Sequence, residues 1–445
     1  MIVQAKKKTT DKKWKKYRTV TMAGLKGFET RDAIKINQYG GRTDKLYKAT
    51  GFFRVMKKNK RWIMTDPDGC QWYQVGCNHV VVNHTKQGQK ALAGIYGSKV
   101  RWAKDTAAQL RSLGFNMLGC WSNWRAFQRS APMPYTTQSD FMREFAKKMN
   151  LLTKRGRDYK CGFFPVLHPA FPSFCNEHAK KMLADTRNDP WLVGHFSDNE
   201  LYFTTDMLKR CLSLPQTDPN HQAARKWMIE HRISSMKSFP ESIKLAFVRF
   251  VAETYFKNVS KAIKAADPNH LYLGSRFALD TSSKSNVAAQ RPLWEVAGKY
   301  VDIISMNWYR KWTPDKRTMN TWNRWSNRPF VITEWYAKGM DSGMRNITGW
   351  GWTVKTQKDR GRFYQNFAIG LTKHPACVGW HWFKYMDNDT TDKNADPSNR
   401  NSNKGIVNCL YVPYLQLIGD MKELNDQIYP LLDYFHASSQ ERKKP

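Results

Sequence analysis

The sequence predicts a (β/α)8 barrel, also called a TIM barrel, with a short Lys-rich extension at its N-terminus. Eight short apolar runs typical of strands alternate with longer segments that have helical periodicity. No Gly-rich phosphate loop follows the first run, which disfavours an open doubly wound sheet. The chain has 445 residues, of which 41% are hydrophobic, and this is enough for one large barrel.

The first predicted strand is Gln71 to Val82, which follows turn chemistry at Asp66-Pro-Asp-Gly69. The other seven runs are Phe115 to Trp121, Gly162 to Leu167, Trp191 to Asn199, Leu271 to Phe277, Val301 to Tyr309, Phe330 to Tyr336 and Cys377 to Phe383. Helices are expected at Lys99 to Leu113 with a stop at Gly114, over roughly Gln222 to Ala266, and from about Leu415 to Phe435.

The domain organisation follows from a shift in composition near residue 47. Residues 1–47 are polar, Lys-rich and poorly periodic, so we expect an extension that packs on the barrel or is partly disordered. Residues 48–445 are expected to form the catalytic barrel.

The net charge of +36, from 73 Lys and Arg against 37 Asp and Glu, favours polyanions as partners, although a solvated Lys-rich surface explains it equally well. Basic residues cluster at the ends (Lys6 to Lys16 and Arg442 to Lys444) and are otherwise dispersed, and no nucleic-acid-binding motif accompanies them. We therefore expect no nucleic-acid partner. No apolar run is long enough to span a membrane, and the start lacks a signal-peptide core, so the protein stays inside the cell or a leader has been removed.

The eight cysteines contain no CxxC pair, which argues against a structural zinc site, and most of them are expected to be reduced core residues. They are Cys70, Cys77, Cys120, Cys161, Cys175, Cys211, Cys377 and Cys409.

Aromatic residues are concentrated at predicted strand ends and in the loops that follow. Trp121, Trp308, Trp335, Trp380 and Trp382 lie at such ends. A core position is the default for any one of them. Aromatic faces also stack on sugars, however, so the concentration favours a carbohydrate cleft.

Two glutamates end their own apolar runs. Glu200 follows the fourth run, with Asn199 beside it, and Glu334 lies in the seventh. In a barrel both ends would lie on the same rim, where two carboxyl groups about 5 to 5.5 Å apart can cleave a glycosidic bond with retention. An amide next to one of them is suited to the sugar 2-hydroxyl.

These residues resemble clan A of the glycoside hydrolases, and more closely the β-agarases of glycoside hydrolase family 50. The matching segments are residues 61–76, 194–203 (GHFSDNELYF), 267–277, 332–367 and 378–389. The resemblance covers roughly residues 50–390. The chain departs from that family because it lacks the large accessory domain that often precedes the barrel, and it is far more basic than a neutral galactan requires.

The resemblance implies that Glu200 is the acid/base, Glu334 the nucleophile and Asn199 the ligand of the 2-hydroxyl. Tyr309 matches the tyrosine that hydrogen-bonds the nucleophile, and Trp382 the aromatic floor under the sugar. Further substrate contacts, for which a structural role is the alternative, are Arg276, His168, Asn307, Trp121 and Asn123.

The expected activity is retaining hydrolysis of β-1,4-galactosidic bonds in agarose or sulfated porphyran, which releases neoagaro-oligosaccharides without a cofactor or metal. Because such polymers do not cross membranes, we expect a secreted or periplasmic protein. The alternatives are a β-galactosidase or another clan A hydrolase acting on small oligosaccharides, and a non-catalytic binder of anionic polysaccharide. The loop Asp387 to Asp392 has the oxygen count of a cation site, but a solvated substrate loop is the preferred interpretation.

Overall fold

The structure is a computed structural model, and it describes residues 1–32, 34–153, 159–160, 162–234, 238–278 and 284–441. Cys161 and the basic cluster Arg442 to Lys444 lie outside these residues.

The strands, in chain order, are β1 (Ile2–Lys6), β2 (Lys15–Arg18), β3 (Arg42–Leu46), β4 (Arg54–Lys58), β5 (Arg61–Thr65), β6 (Cys70–Trp72), β7 (Gln74–Cys77), β8 (Met117–Leu118), β9 (Tyr135–Gln138), β10 (Leu192–Phe196), β11 (Leu271–Tyr272), β12 (Phe277–Ala278), β13 (Ile304–Asn307), β14 (Phe330–Glu334), β15 (Ala337–Gly339), β16 (Trp352–Val354) and β17 (Cys377–Trp382). The α-helices are α1 (Lys86–Tyr96), α2 (Lys99–Ser112), α3 (Trp124–Gln128), α4 (Phe141–Lys148), α5 (Phe171–Leu183), α6 (Met207–Leu212), α7 (Pro219–Glu230), α8 (Glu241–Ala266), α9 (Lys284–Tyr300), α10 (Lys316–Ser326), α11 (Gln357–Thr372), α12 (Leu415–Asn425) and α13 (Ile428–Glu441). Two short 3₁₀ turns lie at Met22–Gly24 and Met340–Ser342.

The prediction of a single (β/α)8 barrel with a short extension is wrong. The central sheet has nine parallel strands in the order β11-β10-β9-β8-β7-β17-β14-β13-β12, and no ladder joins β11 to β12. Two further four-stranded sheets, β15-β16-β1-β2 and β3-β6-β5-β4, accompany it. The ninth strand has a local cause. Gly274 (φ +77°) and Arg276 (φ +47°) adopt left-handed backbone conformations, which divide the fifth predicted strand into β11 and β12.

The third predicted strand is misplaced. Residues 162–167 contain no strand, and β9 lies between β8 and β10 instead. Pro165 has no backbone N–H to donate to a ladder, which is a reason to reject that run as a central strand. The sequence of β9, Tyr-Thr-Thr-Gln, is too polar to be recognised as an apolar run. Each of the other seven predicted runs contains residues of the central sheet.

The central sheet is strongly curved, because β11 and β12 lie at opposite ends of the strand order although few residues separate them in the chain. Alternate side chains of each strand face different apolar clusters. Leu192 and Ile332 pack in the large cluster that includes the helices, whereas Val193 and Val331 join a smaller one. That smaller cluster also takes Trp72 and other residues of the β3-β6-β5-β4 sheet, so this sheet helps to fill the space that the curved sheet encloses.

The N-terminal residues contribute strands to the two smaller sheets. Strand β1 pairs with β16 and β3 pairs with β6, both antiparallel. The Tyr17 ring stacks on Trp312 at 5.1 Å. Strand β15 starts three residues after Glu334, so the sheet that contains β1 adjoins the end of β14.

The helices begin and end at recognisable signals. The Ser98 hydroxyl accepts a hydrogen bond from the backbone N–H of Arg101 at the start of α2, and Gly114 follows its end with φ +72°, as predicted. The single helical section predicted over 222–266 is two helices, α7 and α8, and Asp218 caps the first of them.

Seven of the cysteines lie in the described residues and none of these forms a disulfide; six are buried and Cys409 is partly exposed. This confirms the prediction of reduced cysteines for those seven. None of the helices in the described ranges has the length and apolar character needed to span a bilayer.

We expect Gly194→Ala to destabilise the fold, because a Cβ there would lie 2.3 Å from the backbone oxygen of Leu271 on the neighbouring strand. Overpacking against backbone of this kind costs about 3 kcal/mol. The matched control is Gly94→Ala in α1, where a Cβ meets nothing within 4 Å, and it should stabilise by about 1 kcal/mol. Urea unfolding of both variants measures the difference. Equal stabilities would contradict the close approach of β10 to β11.

Candidate active site

Residues with left-handed backbone conformations follow the strands of the central sheet at one rim. Positive φ is rare for non-glycine residues and often marks functional sites. They are His79 (φ +55°), Trp121 (φ +60°), Asp140 (φ +51°), Glu200 (φ +55°), Arg276 (φ +47°) and Arg310 (φ +59°). Both candidate carboxylates lie at this rim.

Glu334 is the last residue of β14 and is 5% exposed. A register shift between β13 and β14 leaves Thr333 unpaired and places Glu334 opposite Asn307. The Arg276 guanidinium donates to Oε1 at 2.6 Å, and the Tyr309 hydroxyl donates to Oε2. Each carboxyl oxygen of Glu334 therefore accepts a hydrogen bond from the protein, and the one from Arg276 is charge-assisted.

Arg276 connects Glu334 with Asn199, the neighbour of Glu200 in the chain. It is fully buried and donates to Asn199 Oδ1 at 2.9 Å as well as to Glu334. Its guanidinium lies 4.2 Å from the centroid of the Trp121 ring. It also donates to Gln138 Oε1 at 3.3 Å. These contacts hold Arg276 in one position between β10 and β14.

Glu200 is partly exposed and accepts a hydrogen bond from Asn307 Nδ2 at 2.8 Å. Burial and, after it, the nearby charge of Glu334 together raise the pKa of Glu200 to about 7. The carboxyl groups therefore have different environments. Glu200 is suited to carry a proton near neutral pH, whereas Glu334 accepts hydrogen bonds from a cation and a hydroxyl.

A cavity of about 490 Å³ opens beside Glu200. Its lining includes Trp121, Gln138, Asn199 and Tyr202. Trp121 is 37% exposed and Tyr202 46% exposed, so aromatic faces are accessible next to the carboxyl group. This combination of aromatic surface and a few converging polar groups is typical of sugar sites.

Three predicted contacts lie apart from this cluster or below its surface. The Trp382 ring has no exposed area, and its Nε1 donates to the Lys404 backbone oxygen at 3.0 Å. His168 accepts a hydrogen bond from the Ala170 backbone at the start of α5. The Asn123 side chain is exposed at the start of α3. A sugar would reach the Trp382 ring only after neighbouring side chains moved.

Other polar groups singled out by the sequence are held by the protein itself. Asp198 accepts hydrogen bonds from the Met142 backbone at 2.9 Å and the Tyr255 hydroxyl at 2.5 Å, in agreement with an anchoring role. Asp387 accepts from the Lys404 backbone and the Tyr414 hydroxyl, so protein donors occupy this part of the candidate cation loop.

A buried His195, Asp267 and His270 cluster has the composition of a metal site. Asp267 Oδ2 contacts a ring nitrogen of each histidine at 2.8 Å. The second ring nitrogen of His195 contacts Thr137, and that of His270 contacts the Asp189 backbone oxygen. Every ring nitrogen therefore has a protein partner, which indicates a structural network.

Sequence reasoning did not find several groups at the rim. Gln138, on the unrecognised strand β9, contacts Arg276. Tyr336 and Trp350 approach Tyr309, with ring centroids at 5.5 Å and 6.3 Å. Tyr336 ends the seventh predicted run and Trp350 follows it, so aromatic residues in this stretch were a usable signal for both. No sequence signal marked Gln138.

Comparison with known proteins finds similarity to two proteins named as beta-agarases. No family model matches the chain. Beta-agarase B of Vibrio sp. (strain JT0107) is 25% identical over 502 aligned residues, which cover 88% of this chain and 50% of that protein. Beta-agarase A of the same strain is 25% identical over 385 residues, 75% of this chain and 36% of that protein. The chain thus spans half or less of the length of these curated relatives.

Solved structures extend the comparison. The crystal structure of BpGH50 matches with a TM-score of 0.84 and 29% identity, and the match covers 98% of this chain and 96% of that one. The agarase AgWH50C matches with a TM-score of 0.73 and 20% identity over 89% of this chain and 66% of that one. An exo-beta-agarase matches with a TM-score of 0.75 and 21% identity over 89% and 68%. The last two establish a shared fold.

Proposed function

We propose that the protein is a retaining glycoside hydrolase of the agarase type, which cleaves β-1,4-galactosidic bonds of agar-type galactans and releases neoagaro-oligosaccharides. The observation that carries the proposal is the contrast between the two carboxyl groups. Glu334 accepts hydrogen bonds from Arg276 and Tyr309, whereas the pKa of Glu200 is raised to about 7 by burial and by Glu334. Beta-agarases among the similar proteins support the substrate class.

In the first step Glu334 attacks the anomeric carbon while Glu200 gives its proton to the leaving oxygen. One carbon–oxygen bond breaks as the bond to Glu334 forms. In the second step Glu200, now ionised, takes a proton from water, and that water displaces Glu334. Two inversions give net retention.

Asn199 is proposed to bind the sugar 2-hydroxyl. Its Oδ1 already accepts from Arg276 at 2.9 Å and from Asn307 at 3.3 Å. These contacts orient the amide so that Nδ2 is the group available to a ligand. Trp121, which is 37% exposed, lines the same cavity as Asn199. We propose that Arg276, Tyr309 and Asn307 act mainly by positioning the carboxyl groups.

The clan A resemblance and the roles of Trp382, His168 and Asn123 as sugar contacts remain proposals. Because a galactan polymer does not cross membranes, we also propose that the protein acts in a secreted or periplasmic location.

Hydrolysis of a soluble agar oligosaccharide, followed by proton NMR during the first minutes, tests the proposal. The newly formed reducing galactose should appear first as the β-anomer and then mutarotate. First appearance of the α-anomer would establish inversion and exclude Glu334 as nucleophile. No new reducing end from any agar-type galactan would refute the activity itself.

A further inference from the structure

Two buried lysines, Lys384 and Lys404, lie in the segment between β17 and α12 and have no role in the proposed reaction. Lys404 is 0% exposed and Lys384 is 4% exposed. Among the described residues, neither ammonium group has a carboxylate within ion-pair distance. Lys384 donates to the amide oxygen of Asn388, and Lys404 donates to that of Asn399. An ammonium has three N–H donors, so each lysine has more donors than these protein acceptors occupy.

Lys404 lies between the two aromatic walls of the rim. Its Nζ is 4.9 Å from the centroid of the Phe383 ring and 5.1 Å from that of Tyr336. The Phe383 ring contacts Trp121 at 6.0 Å, and the Tyr336 ring contacts Tyr309 at 5.5 Å. Since Trp121 covers Arg276 and Tyr309 donates to Glu334, the lysine belongs to the same rim as the carboxyl groups.

A further cation, Arg310, follows Tyr309 at this rim. The Arg310 guanidinium lies 4.7 Å from the centroid of the Trp350 ring, and its Nε is buried without a partner. The nearby carboxylate of Asp387 is occupied by hydrogen bonds from Asn403 and from the backbone N–H groups of Lys404 and Gly405.

A third buried lysine in the same region, Lys338, has hydrogen-bond acceptors from the protein for its whole ammonium group. Lys338 is 1% exposed, and its Nζ donates to three backbone oxygens, those of Asn346, Thr348 and Gly349, at 3.1, 3.1 and 3.4 Å. All three of its donors are used. Among the described residues, Lys384 and Lys404 each have one such oxygen acceptor and not three.

Buried ammonium groups without counter-charges are costly. Burial lowers the pKa of Lys384 to about 8, and it lowers the pKa of Lys404 further, with the charge of Lys384 acting in the same direction. The charges of Asp387 and Asp396 act on Lys384 in the opposite direction, as Glu334 and Asp396 do on Lys404, but burial outweighs them. A ligand oxyanion would reduce this cost by supplying hydrogen-bond acceptors and a charge in direct contact.

We infer that Lys384 and Lys404 form a subsite for an oxyanion on the sugar next to the cleaved bond, either a sulfate ester or a carboxylate. The oxyanion replaces the amide oxygens of Asn388 and Asn399, which lie in a segment without helix or strand between β17 and α12. The inference rests on the proposed function and narrows it to anionic galactans. The net charge of +36 favours the approach of such a polymer.

The test compares three forms of one galactan: the sulfated polymer, the same polymer after desulfation, and the desulfated polymer with its primary hydroxyls oxidised to carboxylates. The measured quantity is kcat/KM. We expect the wild-type protein to prefer a charged form at least 10-fold, a size typical of a charge-assisted contact. The preferred form identifies the oxyanion. Equal or faster turnover of the desulfated polymer would overturn the inference while the proposed function stands.

Variants test whether Lys384 and Lys404 cause the preference for a charged polymer. Lys384→Gln and Lys404→Gln should each reduce the charged-to-neutral ratio of kcat/KM about 10-fold, whereas Lys226→Gln on the exposed face of α7 should not change it. Melting temperatures establish folding, and Lys384→Gln alone decides the matter if Lys404→Gln does not fold. An unchanged ratio in folded Lys384→Gln would overturn the assignment.

If none of the three forms is cleaved, the proposed function is refuted, but the inference about the two lysines is still open to test. Calorimetric binding of the three forms to the wild-type protein then decides the inference, with a 10-fold tighter affinity for a charged form as the supporting result and equal affinities as the opposing one.

Discussion

Glu334→Gln is expected to lower the hydrolysis of agar-type galactan by at least about 10⁴-fold, because the amide cannot form the bond to the anomeric carbon. This corresponds to about 5 kcal/mol of lost transition-state stabilisation. The loss should be found in kcat with every substrate, including glycosides with good leaving groups. Steady-state kinetics of purified variants measures it.

Controls separate chemistry from folding. Glu177→Gln, in an exposed ion pair with Lys148, should retain wild-type activity. The melting temperature of Glu334→Gln must be measured too, because the substitution leaves the buried guanidinium of Arg276 without its carboxylate partner. Azide added to Glu334→Gly should restore turnover and yield the α-glycosyl azide. Activity of folded Glu334→Gln near the wild-type value would contradict the nucleophile assignment.

Glu200→Gln is expected to slow cleavage of natural galactan by about 10³-fold while it spares the first step with an activated aryl glycoside, which needs no proton. The pH dependence should change as well. Only the protonated carboxyl can act as acid, and the pKa of Glu200 is raised to about 7 by burial and by Glu334. For the wild-type protein, kcat/KM should therefore fall as pH rises through about 7, and this alkaline limb should be absent in Glu200→Gln.

The pH dependence of kcat/KM is recorded with an agar oligosaccharide between about pH 5 and 9, and burst and steady-state rates with an activated aryl galactoside measure the step that should be spared. Azide should restore Glu200→Gly with formation of the β-glycosyl azide, the opposite configuration to that expected for Glu334→Gly. An alkaline limb that persists in Glu200→Gln would assign it to another group.

Much of the strand framework was predictable, because buried parallel strands are short apolar runs and those runs stand out between helical segments. The ends of β10 and β14, which carry Glu200 and Glu334, were located in this way. Strand β9 was not located, because its residues are polar. Pro165 was a signal against the run at residues 162–167, which was predicted as a strand in its place. The nine-stranded sheet was missed because it depends on the left-handed conformation of Arg276, which no local pattern encodes.

The site was predictable in its carboxyl groups and less so in what surrounds them. The Arg276 contact with Glu334 joins residues 58 positions apart, and the approach of Lys404 to Tyr336 depends on how a loop folds back over the rim. Such contacts arise from tertiary packing, and periodicity carries no information about them. Trp382 is an opposite case, in which the sequence indicated a role that the packing does not favour. It was predicted to lie under the sugar, but its ring is fully buried.

The most direct test of the account is to trap the intermediate. The wild-type protein is incubated with a 2-deoxy-2-fluoro-galactoside that has a good leaving group, and its intact mass is measured, followed by mapping of the labelled peptide. We expect a mass increase of one glycosyl unit on the peptide that contains Glu334, and no label in Glu334→Gln. A label on Glu200, or turnover of galactan without any trapped species and with inversion, would contradict it.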